Sequence, residues 1–159
     1  MALATGKKAP AFTLLDQGGV KVALKDFKGQ WVLLYFYPKD DTPGCTKEAC
    51  AIADNFPTFE KLDAVVLGVS TDTPQSHKKF AQKYKLPFRL LADTEKKVVE
   101  KYGVWGEKSM YGRKYMGTMR MSFLVDPDGV IRKIYHKVKP DSHAQEVITD
   151  LRELKKATV

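Results

Sequence analysis

The chain has 159 residues, 43% hydrophobic and 11% aromatic, enough to build a core and too apolar for a disordered segment, although 29% are charged. Two cysteines exclude a disulfide scaffold and a four-thiolate zinc ribbon, and no run reaches the roughly 20 apolar residues of a membrane span. The net charge of +8 is the remaining unusual figure, and its distribution argues against nucleic acid as the partner, as shown below.

Residues 12–15, a turn at Asp16-Gln17-Gly18-Gly19 and residues 20–24 read as a strand pair. Residues 31–37 are seven consecutive apolar or aromatic residues between the Lys28-Gly29-Gln30 turn and Pro38, the mark of a strand buried on both faces. A polar loop, 39–42, follows. Thr42 stands where a helix N-cap belongs and Pro43 where the first helical residue belongs. Cys45, Ala49, Ile52, Phe56 and Phe59 then recur at spacings of four, three, four and three, a helix burying one stripe, with a break near Asn55 imposed by Pro57.

Residues 64–70 predict a second buried strand, and Thr73-Pro74 opens a helix to about Tyr84 with Phe80 and Tyr84 on one face. Residues 88–91 predict a third core strand and 95–102 a short helix. Residues 103–117, with Trp105, Tyr111 and Tyr115 among Gly and Lys, read as an irregular covering loop. Residues 121–125 and 130–135 around Asp126-Pro127-Asp128-Gly129 predict a hairpin, and 141–155 a closing helix with Val147, Leu151 and Leu154 on its apolar side. With no repeat, low-complexity tract or linker, residues 1–159 read as one α/β domain: a central mixed sheet with helices on both faces. In such folds chemistry gathers where loops leave the carboxyl ends of strands, which singles out the segment 38–45.

Of the 27 basic residues, 22 are Lys, scattered among acidic residues with no run of five like charges, so a solvated surface is the reading and no nucleic-acid partner is expected. The five arginines, Arg89, Arg113, Arg120, Arg132 and Arg152, stand out because a guanidinium suits buried anion recognition. His77, His136 and His143 are isolated in sequence and are placed on the surface or in loops, without a ligand or triad pattern. No cofactor or metal is implied. Residues 1–10 lack the apolar core and cleavage site of a secretory signal, so a reducing cytoplasm is the expected compartment.

Cys45 falls in the first turn of its helix, where free backbone N–H groups and the helix dipole favour a thiolate. Filling the apolar stripe with Ala49 and Ile52 is the competing role. Cys50, five residues on, lies about 140° around the helix with a Cα separation of roughly 8–9 Å. A disulfide spans at most about 7 Å between Cα atoms. The pair therefore cannot bond while the helix is intact, which disfavours a permanent bridge and admits a redox pair that reacts through local unwinding.

Tyr37-Pro38-Lys39-Asp40-Asp41-Thr42-Pro43-Gly44-Cys45-Thr46-Lys47-Glu48-Ala49-Cys50 resembles the active-site segment of the peroxiredoxins, with Pro38, Thr42 and Cys45 matching P-x-x-x-T-x-x-C. Cys50 is similar to the bacterioferritin comigratory protein (Q-type) branch. The likeness extends to residues 7–15, 66–70, 102–108 and 120–124. It implies a thioredoxin-like fold with an N-terminal hairpin addition. It also implies a peroxidase in which Cys45 attacks hydrogen peroxide or an alkyl hydroperoxide, Cys50 closes an intramolecular disulfide, and thioredoxin or a similar dithiol reduces it. Thr42 would donate its hydroxyl toward sulfur or peroxide, Arg120 would aim its guanidinium at both, Pro38 would close the pocket, and Glu48 would either orient Arg120 or face solvent. Within this branch a monomer is the expectation. A thiol–disulfide oxidoreductase of the same fold is the nearest alternative, although such proteins place two cysteines two residues apart, and a basic nucleic-acid-associated protein is the more distant one.

Overall fold

Every residue of Trp31–Phe36 is buried, and strand alternation divides them between two cores. Trp31, Leu33 and Tyr35, continued by Tyr37, face one side of the sheet, and Val32, Leu34 and Phe36 face the other. In the computed structural model, which describes residues 3–157, this strand (β3) lies inside a seven-stranded mixed sheet. The other strands are β1 (Thr13–Leu15), β2 (Lys21–Ala23), β4 (Ala64–Ser70), β5 (Arg89–Ala92), β8 (Met121–Val125) and β9 (Ile131–Tyr135), in the order β2-β1-β5-β4-β3-β8-β9. Strands β3, β4 and β5 are parallel. The N-terminal hairpin β1–β2 adds antiparallel to β5, and β8–β9 adds antiparallel to β3. The sequence-derived central sheet and antiparallel edges are therefore present.

Helices cover both faces unequally. α1 (Pro43–Asp54), α2 (Phe56–Lys61), α3 (Pro74–Tyr84) and α5 (His143–Ala157) pack on the Tyr35 face, while α4 (Lys97–Lys101) and a short 3-10 turn (Leu24–Phe27) pack on the Phe36 face. The break expected near Asn55 falls there: Asn55 separates α1 from α2 and donates its side-chain amide to the Ala51 carbonyl.

Residues 103–117 are not an irregular loop. β6 (Trp105–Met110) and β7 (Arg113–Thr118) form a separate antiparallel ribbon, turned by Tyr111 and Gly112, both at positive φ as a two-residue hairpin turn requires. Neither strand has a wholly buried face, so the period-two apolar signal was missing from the sequence. His77 and His143 are likewise not on the surface. Both are fully buried, because each lies on its helix's apolar stripe, His77 three residues before Phe80 and His143 four before Val147.

At one point the sheet requires a glycine. Gly68 on β4 is the register partner of Tyr35, and a Cβ there would stand 2.8 Å from the Tyr35 ring and 3.0 Å from Leu90. Both neighbours are fully enclosed, so the ring cannot yield outward. Gly68→Ala is expected to cost about 1–3 kcal/mol as an overpacked core, read as a lower urea midpoint with an unchanged slope.

Candidate active site

Strand β3 ends at Phe36, and the chain leaves the sheet's carboxyl edge through Tyr37 and Pro38 to start α1. Thr42, extended at the N-cap, accepts the Thr46 N–H on its carbonyl at 2.8 Å. Its hydroxyl makes neither a capping bond nor a bond to sulfur; it donates to the Lys39 carbonyl at 2.9 Å and folds the 39–42 loop back on itself. The expected donation toward Cys45 is therefore not the state seen.

Cys45 is 1% exposed in the first turn of α1. Arg120, immediately before β8, reaches across to it: Nη2 donates to Cys45 Sγ at 3.3 Å and Nη1 to Glu48 Oε1 at 2.8 Å. Gly44 leaves the space this needs, since a Cβ there would stand 3.0 Å from Arg120 Nη2. Glu48 faces inward and is fully buried, which settles its sequence-level alternatives in favour of the arginine. Its other oxygen, Oε2, has no partner among the described residues. Burial drives the Glu48 carboxyl up to about 7 against the opposing pull of Arg120. Burial also works against the charge on Arg120, but the sulfur of Cys45 and the carboxylate of Glu48 outweigh it and raise its pKa.

Cys50 is half-buried on α1 and unbonded, as is Cys45. Burial, and then the charge of Asp54 one turn further along, push the Cys50 thiol up. Lys108 on β6, which the sequence reading passed over, donates to the Thr118 carbonyl at 3.1 Å. Burial and the charge of Arg120 push its amine down, with Cys45 opposing. Pro38 is half-buried at the mouth of the same loop. The sequence thus located Cys45, Thr42, Pro38 and Arg120 in one neighbourhood, but not the buried polar cluster on α3 described below.

A thiol at a helix start, met by a guanidinium that is itself fixed by a buried carboxylate, defines a thiol-based redox site. The AhpC/TSA family model matches residues 5–134. The putative peroxiredoxin Bcp of Coxiella burnetii is 50% identical over 148 residues, 93% of this chain and 98% of the relative. Peroxiredoxin Bcp of Escherichia coli K12 is 48% identical over 95% of this chain and 97% of its own. A cysteine variant of Xylella fastidiosa PrxQ superposes with a TM-score of 0.92 at 33% identity, covering 98% of this chain and 99% of that one. The bacterioferritin comigratory protein of Xanthomonas campestris gives 0.87 at 35%, covering 94% and 98%. The chain belongs to the AhpC/TSA family and, within it, to the Bcp-type peroxiredoxins, which are peroxidases on a thioredoxin-like fold.

Proposed function

We propose that this protein reduces hydrogen peroxide and alkyl hydroperoxides through Cys45, with Cys50 as the resolving thiol and thioredoxin or a similar protein dithiol as the reductant. The observation that carries it is the 3.3 Å contact from Arg120 Nη2 to the Cys45 sulfur. The Xanthomonas campestris relative is described by its alkyl peroxide reduction activity, which supports the organic substrate class.

The Cys45 thiolate attacks one peroxide oxygen and the O–O bond breaks. The sulfur becomes a sulfenic acid, and the other oxygen leaves as hydroxide or alkoxide and takes up a proton. Arg120 stabilises the negative charge as it moves from sulfur to the departing oxygen. Thr42, its proton committed to Lys39, offers lone pairs, so it accepts the peroxide O–H rather than donating to it. Pro38 closes the pocket against water. The Cys50 thiol then displaces water from the sulfenic acid to form the disulfide, and thiol–disulfide exchange with the dithiol restores both thiols.

The second step needs the start of α1 to unwind. Gly44 weakens the first turn, and the break at Asn55 limits what must melt. Unwinding also frees Cys50 from burial and from Asp54, the two influences that keep it protonated in the helix. An intramolecular bridge needs no second subunit, so a monomer suffices. Among the described residues no helix is long and apolar enough to cross a membrane, and two free thiols suit a reducing cytoplasm. No nucleic acid, cofactor or metal enters the cycle. The five-residue spacing on a continuous helix separates this reading from a thiol–disulfide oxidoreductase.

Mass spectrometry of peroxide-treated protein tests it. Wild type is expected to lose two hydrogens, and Cys50→Ser to gain one oxygen that dimedone traps. Cys50→Ser should complete one turnover and then stall with thioredoxin. Normal steady-state turnover in that variant would remove Cys50 from the cycle.

A further inference from the structure

Beside the site lies a buried polar cluster that the chemistry above does not use. Asp40, two residues before Thr42, has its side chain enclosed and accepts three hydrogen bonds: Tyr37 Oη to Oδ1 at 2.6 Å, Ser76 Oγ to Oδ2 at 2.8 Å, and His77 Nδ1 to Oδ2 at 2.7 Å. The Asp40 N–H donates to Asp72 Oδ2 at 2.9 Å, which also accepts from Ser70 Oγ at 2.6 Å. His77 Nε2 faces the Leu91 carbonyl at 2.9 Å. The ligand atoms of Asp40, Asp72 and His77 lie within 4.8 Å of one another, but each already has a protein partner, so the cluster is complete without a metal ion.

His77 is fully buried: Nε2 faces the Leu91 carbonyl, and Nδ1 faces the Asp40 carboxyl at 2.7 Å and the Tyr37 hydroxyl at 3.4 Å. A hydrogen on Nε2 directed at Leu91 and one shared between Nδ1 and Asp40 Oδ2 make both contacts hydrogen bonds, so the ring bridges the loop to β5. His143, the other buried ring, has Nδ1 facing Glu146 and Nε2 facing the Ser122 hydroxyl, which can donate, so a neutral ring satisfies both. Burial accordingly holds the His143 pKa below its ordinary value.

We propose that His77 is a positioning residue for the peroxide-reducing site: it bonds Asp40 to the Leu91 carbonyl of β5 and so clamps the loop that carries Pro38 and Thr42. The proposal rests on the peroxidase reading. It also defines where the site can move. A second tie, Asp41 Oδ2 to Lys83 Nζ at 2.8 Å and Oδ1 to Tyr84 Oη at 2.7 Å, fastens the next residue to the same helix, α3. Unwinding for the disulfide therefore begins after Asp41, and the peroxide-binding loop keeps its shape while α1 opens.

The test has two arms. Nitrogen-15 NMR of the His77 ring should show a hydrogen on Nε2 that exchanges slowly with solvent, as the bond to the Leu91 carbonyl requires; a bare Nε2 overturns the proposal. In stopped flow, His77→Leu should slow the reaction of Cys45 with hydrogen peroxide at least tenfold, while reduction of the preformed disulfide by dithiothreitol keeps its wild-type rate. A general loosening would alter both half-reactions. Because His77→Leu strands a buried carboxylate and can impair folding, Asp40→Ala/His77→Leu is measured beside it. The double variant should fold and react at least threefold more slowly than wild type. A folded form of either variant reacting with peroxide at the wild-type rate overturns the clamp. Absence of a peroxide reaction in wild type would instead remove the peroxidase reading, leaving the ring's protonation to be read by NMR alone.

Discussion

Cys45→Ser is expected to abolish peroxide consumption with every reductant while leaving the fold intact. The replacement exchanges sulfur for a smaller oxygen at a site that is 1% exposed, so it creates no large cavity and removes no backbone bond. The Arg120–Glu48 pair survives, because Nη1 bonds Glu48 independently of the sulfur. What disappears is the thiol that we propose as the nucleophile. A serine hydroxyl stays protonated at neutral pH, and the guanidinium aimed at it is a donor with no capacity to accept its proton. The buried Glu48 carboxylate, one turn along α1, is spent on Arg120 through one oxygen. Peroxide loss followed over minutes, together with a melting curve close to wild type, checks both halves of the expectation. Retained turnover would move the chemistry to Cys50, whose thiol is held protonated by burial and Asp54.

How much of this was legible in the sequence depends on how each residue signals its place. Residues 31–37 and 64–70 announced buried strands because both faces of each are apolar, and Pro57 announced the break after α1 because its ring cannot enter a helix interior. The ribbon β6–β7 left no such mark, since its residues face solvent on both sides and its turn uses Tyr111 where Asn or Asp is usual. His77 and His143 were misplaced by residue type, although helical spacing from Phe80 and Val147 set both on the core side. At the site, motif spacing pointed to Cys45, Thr42 and Pro38. The direction of the Thr42 hydroxyl and the pairing of Asp40 with His77, 37 residues apart, depend on tertiary contacts that no local pattern encodes.

Replacing Arg120 by Ala should cut the second-order rate constant with hydrogen peroxide about 100- to 1000-fold, the usual cost of removing one preorganised donor to developing charge. Arg120→Lys should recover little, because one ammonium cannot reproduce a fork that holds Cys45 through Nη2 and Glu48 through Nη1. The pH dependence of stability separates this loss from mere damage. Glu48 titrates near 7 in the folded protein against an ordinary value of 4.5, so the folded state holds that proton more tightly than the unfolded chain. Its contribution to stability is complete below pH 4.5 and is lost as pH rises through about 7. The difference in melting temperature between wild type and Glu48→Gln, followed from pH 4 to 9, should show that decline in wild type alone. In Arg120→Ala the cation that lowers the Glu48 carboxyl is gone, so the decline should still begin near pH 4.5 but continue above pH 7, and the carboxyl should remain neutral at physiological pH. Neutralisation lets the variant escape the full penalty of an unpaired buried charge, about 3–5 kcal/mol, and it should therefore remain folded while nearly inactive. If wild type and Glu48→Gln gave superimposable stability profiles, Glu48 would be an ordinary ionised carboxylate, and the arginine would be held by charge throughout the working range.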